Sequence, residues 1–72
     1  MAVPRMVRVD SSSVDAVGYD EDAREIHVRF HSGRTYAYAR ADRTTFERLR
    51  DADSVGRHLN HVIKPRLPYR AL

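Results

Sequence analysis

The stretch Glu25-Ile26-His27-Val28-Arg29-Phe30-His31-Ser32-Gly33-Arg34-Thr35-Tyr36-Ala37-Tyr38 decides how this chain folds. Ile26, Val28 and Phe30 alternate with His27, Arg29 and His31, the period of two expected of a strand with one buried face. Beyond Gly33, Tyr36 and Tyr38 alternate with small alanines, so Arg34 to Arg40 reads as the antiparallel partner in a hairpin. The turn sets the register. A two-residue Ser32-Gly33 loop would put both tyrosines on the face of Arg29 and His27. A type I turn over His31-Ser32, with Gly33 left-handed in a bulge, would pair Tyr36 with Val28 and Tyr38 with Ile26, on the apolar face. A glycine in third place suits the bulge, and the core reading is favoured.

Outward from the hairpin, Val14, Ala16, Val17 and Tyr19 form a β-prone stretch that stops at the acidic turn Asp20-Glu21-Asp22. On the other side, Asp42 is placed to cap a helix from Arg43 to Ala52, with Phe46 and Leu49 on one face. A second start at Asp53-Ser54 opens a helix from Val55 to Lys64. Its apolar stripe is Val55, Leu59, Val62 and Ile63, and Pro65 ends it. Gly56 in its first turn allows close approach to the sheet or to the first helix. The expected fold class is α+β: a three-stranded antiparallel meander followed by two short helices packed on one face of the sheet. Residues 1–5 are expected to be a flexible N-terminus and residues 6–72 a single domain, with Leu67 to Leu72 as a tail able to dock. No repeat or linker interrupts the chain.

Seventy-two residues allow one small core, because a chain this short buries only about 60% of the surface it exposes when unfolded. Zero cysteines exclude disulfide staples. The opening residues are too short and too polar for a signal peptide, and nowhere do apolar residues run long enough for a membrane span. The expected compartment is the cytoplasm, without membrane association. Thirteen Lys and Arg against ten Asp and Glu give a net charge of +3, which mildly favours anionic partners. Twelve of the thirteen are Arg, a bias that a GC-rich genome also produces. The charge is unevenly spread. Asp10 to Glu25 carries six acids against the single base Arg24, whereas Val55 to the end carries Arg57, Lys64, Arg66 and Arg70, with His58 and His61, and no acid. Such a tail suits an anion, and equally suits a solvated helix end whose cations face the helix dipole.

The order Ser12-Ser13, Gly18-Tyr19-Asp20, Ile26-x-Val28-x-Phe30-x-x-Gly33-x-x-Tyr36-x-Tyr38, Phe46-x-x-Leu49, Ala52-x-Ser54-x-Gly56, Asn60-x-x-Ile63-Lys64 resembles the KTSC domain, from about Met6 to Leu72. That family is named for a segment at the C-terminus of some lysyl-tRNA synthetases and includes small free-standing proteins. Leu59 sits where members usually carry an aromatic before the Asn. The resemblance implies the fold and an association with tRNA, and implies no catalysis.

Candidate sites follow from residue chemistry. Ser11-Ser12-Ser13 with Asp15 and His27 are the residue types of a hydrolase triad, but no nucleophile elbow is present, and turn-forming serines explain them as well. His58 and His61 lie three apart on the second helix, yet that helix offers no cysteine or acid to complete a metal site. No metal, cofactor or enzymatic activity is therefore expected. Asn60, inside an apolar stripe, is expected to be partly buried and to tie the helix to the sheet, and Ser54 to act as a cap. Two functions stay open. In one, Arg57, His58, His61, Lys64, Arg66 and Arg70 contact phosphates while Tyr69, with Tyr36 and Tyr38, offers stacking surfaces for single-stranded RNA or tRNA. In the other, a sheet edge or the tail meets a protein partner or a second copy, giving a monomer or weak homodimer.

Overall fold

In the computed structural model, which describes residues 4–72, five strands, one α-helix and one helix of mixed winding follow in order. They are β1 (Val7–Arg8), β2 (Val14–Asp20), β3 (Glu25–Phe30), β4 (Thr35–Tyr38), α1 (Arg43–Arg50), α2 (Val55–His58, continuing as a π-helical turn over Leu59–Ile63) and β5 (Tyr69–Ala71). The sheet is antiparallel throughout, in the order β1-β2-β3-β4-β5. Of the flexible N-terminus expected over residues 1–5, residues 1–3 lie outside the described residues. No helix among the described residues is long and apolar enough to cross a membrane.

The three expected strands are all present, but the sheet has five. β1 has two residues and β5 three, too short for alternation to show in a sequence. The C-terminal tail docks within its own chain. Ala39 N–H donates to Pro68 O at 2.8 Å and Leu72 N–H to Thr35 O at 2.9 Å, holding β5 along β4.

The hairpin takes the bulged register. Gly33 has φ +94°, a conformation that L side chains rarely adopt, and its N–H closes the turn onto Phe30 O at 2.9 Å. Val28 then pairs with Tyr36 and Ile26 with Tyr38, which is buried to 2% exposure. A second irregularity explains β2. Val14 and Val17 are three apart, and strict alternation would put them on opposite faces. A bulge at Asp15 absorbs the extra residue, so that both are fully buried.

Asp42 caps α1, its Oδ1 accepting from Thr45 N–H at 2.7 Å. The helix ends at Arg50, two residues short of the expected Ala52, and Asp51 closes it by donating to Glu47 O. Ser54 Oγ accepts from Arg57 N–H at 3.3 Å and caps α2. The second helix covers the expected span to Ile63, but Lys64 N–H donates to Leu59 O, a π rather than α bond, at 2.9 Å. Val55, Leu59 and Ile63 recur every four residues. A step of four overshoots an α turn and falls short of a π turn, so the two windings together keep all three in line against the core. Both helices cover the face of Val14, Val17, Ile26, Val28 and Tyr38, and this single layer is the core.

Candidate nucleic-acid interface

The helix-covered side ends in a row of hollows along α2. Ser11 to Ser13 form a loop ahead of β2, where Ser11 Oγ accepts from Ser13 N–H at 3.3 Å and Val14 N–H at 3.2 Å. The Ser11 hydroxyl thus serves the turn. The other triad types are apart as well: Asp15 is bound by Arg29 Nε at 2.8 Å, while His27 Nε2 lies 3.6 Å from Glu25. Gly56 brings α2 against this loop, since a Cβ there would lie 2.9 Å from Ser13 Oγ. The close approach inferred for Gly56 is thus to a loop, and not to the sheet or α1. Between loop and helix lies a polar cleft of about 470 Å³ that holds Arg57, Asn60 and His61.

Two further hollows continue the line. One, of about 430 Å³, shares Ser12 and Ser13 with the cleft and adds His31, Arg34, Phe30 and Tyr36. The next, of about 210 Å³, shares Phe30 and Tyr36 and adds Lys64 and Tyr69. Arg57, His61 and Lys64, at helix spacing i, i+4 and i+7, are all exposed and run beside the hollows. Lys64 Nζ stands 5.7 Å from the centre of the Phe30 ring. Tyr36 meets both Phe30 and Tyr69 edge to face at 5.8 Å, and Tyr69 keeps 65% of its surface in solvent. Arg34 and Lys64 thus stand beside aromatic rings, whereas the cleft that holds Arg57 is lined by no aromatic, and Asp10 and Asp53 make it less cationic.

The residues expected to bind nucleic acid divide. Arg57, His61, Lys64 and Tyr69 share this strip; Arg66 is exposed just past α2; His58 is half-buried and lines none of the three hollows. Arg70 points elsewhere, to the opposite face of the sheet, where its Nη2 donates to Glu25 Oε1 at 3.0 Å. Of the stacking candidates, Tyr38 is core and Tyr36 half-buried. Asn60 is exposed and its side chain hydrogen-bonds no described residue, so the structural tie expected of it is not made. Leu59, at the position where an aromatic is usual, is 1% exposed and packs in the core, so that position does not stack on a ligand. Sequence reasoning missed His31, Arg34 and Phe30. The visible signal was a strand running off its covered face into a His-Ser-Gly-Arg turn.

Known proteins resemble this chain in sequence and in shape. The sequence pattern of the KTSC domain matches residues 10–69. An uncharacterised protein of Stutzerimonas stutzeri is 39% identical over 61 residues, covering 85% of this chain and 86% of its own. A protein of Tsukamurella paurometabola is 39% identical over 67 residues, covering 93% of this chain and the whole of its own. The crystal structure of a KTSC domain protein from Yersinia pestis superposes with a TM-score of 0.90 at 28% identity, over 97% of this chain and 99% of that one. The chain belongs to the KTSC domain family.

Proposed function

We propose that this domain is a non-catalytic binding module for single-stranded RNA, tRNA ends and loops included, and that the strip along α2 is its contact surface. The observation that carries the reading is that successive hollows share lining residues, so that Arg34 and Lys64 stand beside Phe30, Tyr36 and Tyr69, with Arg57 in the adjoining cleft. Cations neutralise phosphates without regard to sequence, and ring faces and edges accept unstacked bases.

The test is a salt titration of binding to labelled single-stranded RNA and tRNA beside DNA of equal length. Affinity is expected to fall with log salt at a slope of about three or more. The triple variant Arg57→Ala, Lys64→Ala, Arg66→Ala is expected to weaken binding across all sequences and to flatten the slope by about one per lost phosphate contact, with the fold intact. Absence of binding at low salt retires this reading. The second reading, a protein-interaction or self-association module, then takes its place. It rests on β5, a sheet edge whose Tyr69 and Leu72 are 65% and 55% exposed, and sedimentation over a concentration series tests it.

A further inference from the structure

The face of the sheet that no helix covers carries a second chemistry. Cross-strand pairing sets Gly18, His27, Ala37 and Arg70 side by side across four strands, with Asp20 paired to Glu25 one step along. On this face a hollow of about 940 Å³ is bordered by Met6, Asp20, Glu25, His27 and Arg70. His27 Nε2 is shielded from solvent yet has no hydrogen-bond partner among the described residues. A buried polar nitrogen left without a partner is unfavourable, so the site calls for something to bond it. Glu25 Oε1 lies 3.6 Å from that nitrogen. One donor atom from each of Asp20, Glu25 and His27 falls within 4.8 Å of the others.

We infer that Asp20, Glu25 and His27 form a binding site for a divalent transition-metal ion of the zinc and cobalt class. Around an ion with bonds of about 2.0–2.2 Å, tetrahedral ligand atoms stand roughly 3.4 Å apart. The His27–Glu25 pair, at 3.6 Å, is already near that spacing, and a carboxylate oxygen of Asp20 lies within 4.8 Å of both. One imidazole with two carboxylates suits zinc or cobalt better than magnesium or calcium, which take oxygen ligands. Three protein ligands leave a position open towards the hollow. Arg70 works against the ion. It crosses from β5 to hold both Glu25 oxygens, Nη2 at 3.0 Å and Nε at 3.3 Å, so loading has to loosen that clamp against a repelling charge.

The experiment is calorimetry and cobalt(II) absorption on the tag-free full chain after dialysis against chelator. One ion per chain is expected, with the visible bands of a low-coordinate cobalt site. His27→Gln and Asp20→Asn are expected to abolish it; Asn at 20 keeps the oxygen that accepts from Ala23 N–H, so the turn survives. His58→Gln with His61→Gln is expected to leave the metal stoichiometry and affinity unchanged, which separates this site from adventitious binding on α2. Arg70→Ala is expected to tighten binding by about tenfold, as removal of a nearby like charge should. No binding to the parent chain overturns the site. So does binding that persists in His27→Gln, vanishes with His58 and His61, or fails to tighten without Arg70.

Discussion

A Cβ on Gly18 would lie 2.7 Å from the Arg5 carbonyl oxygen and 2.7 Å from Met6 Sδ. The first contact is with backbone, which cannot rotate aside, so the segment at Arg5 and Met6 packs on β2 only because residue 18 has no side chain. Gly18→Ala is expected to cost about 1–3 kcal/mol in urea unfolding. A cost near zero would show that this segment lifts away freely. Asp15 is the other residue whose setting reads out directly. The Arg29 guanidinium, donating at 2.8 Å, holds its carboxyl below the ordinary 3.8, with Arg8 and His31 adding smaller attractions. Because the folded carboxyl is the stronger acid, its contribution to stability is complete above the unfolded value and disappears as pH falls through the folded one. Asp15→Asn is therefore expected to flatten the acid side of a stability-against-pH curve and to leave the slope above pH 5, roughly, unchanged. Urea midpoints at neutral pH and near pH 3 check this, and an unaltered acid slope would show that Arg29 shares nothing with Asp15 in solution.

Elements were legible in proportion to their length and regularity. β3 and β4 alternate cleanly, and Gly33 carried enough turn chemistry to choose the register that buries Tyr38. The caps at Asp42 and Ser54 were readable because a short polar side chain before an apolar stripe has few other uses. β1 and β5 were not, since two or three residues carry no period, and their pairing depends on where a distant strand edge lies. β5 is held by side chains as much as by its ladder. Tyr69 meets Tyr36 and Tyr38 with ring centres 5.8 Å from each. Tyr69→Ala is expected to destabilise the fold by about 1–2 kcal/mol and to speed amide exchange in β4 before exchange in β2. Equal acceleration in all strands would mean that β5 unfolds only with the whole sheet.

At the scale of the molecule, the charge pattern read along the chain changes meaning once folded. Acids from the first third pair with bases from elsewhere: Asp15 with Arg29, Glu21 with Arg43, Glu25 with Arg70. The linear asymmetry therefore overstates the basic surface, and Arg70 left the expected site for this reason. What gathers along α2 instead comes from four separate segments, the serine loop, the hairpin, the helix and β5, and no spacing rule links them. Beneath that strip lies a core of eleven buried apolar residues among the described residues, with no disulfide to staple it. A chain of this length has about 4–11 kcal/mol of stability in total. Leu59 sits at the junction of the α and π windings, 1% exposed, facing the sheet. Leu59→Ala removes three methylene-sized groups from a site whose backbone is fixed on both sides, at an expected cost of about 2–5 kcal/mol. That is a large share of the whole, and the melting temperature is expected to fall by roughly 10–30 °C. Thermal unfolding followed by circular dichroism checks it. A fall of only a few degrees would mean that the helix collapses onto the vacated space, and so that the π-helical turn is a movable part of the fold rather than a winding imposed by the core.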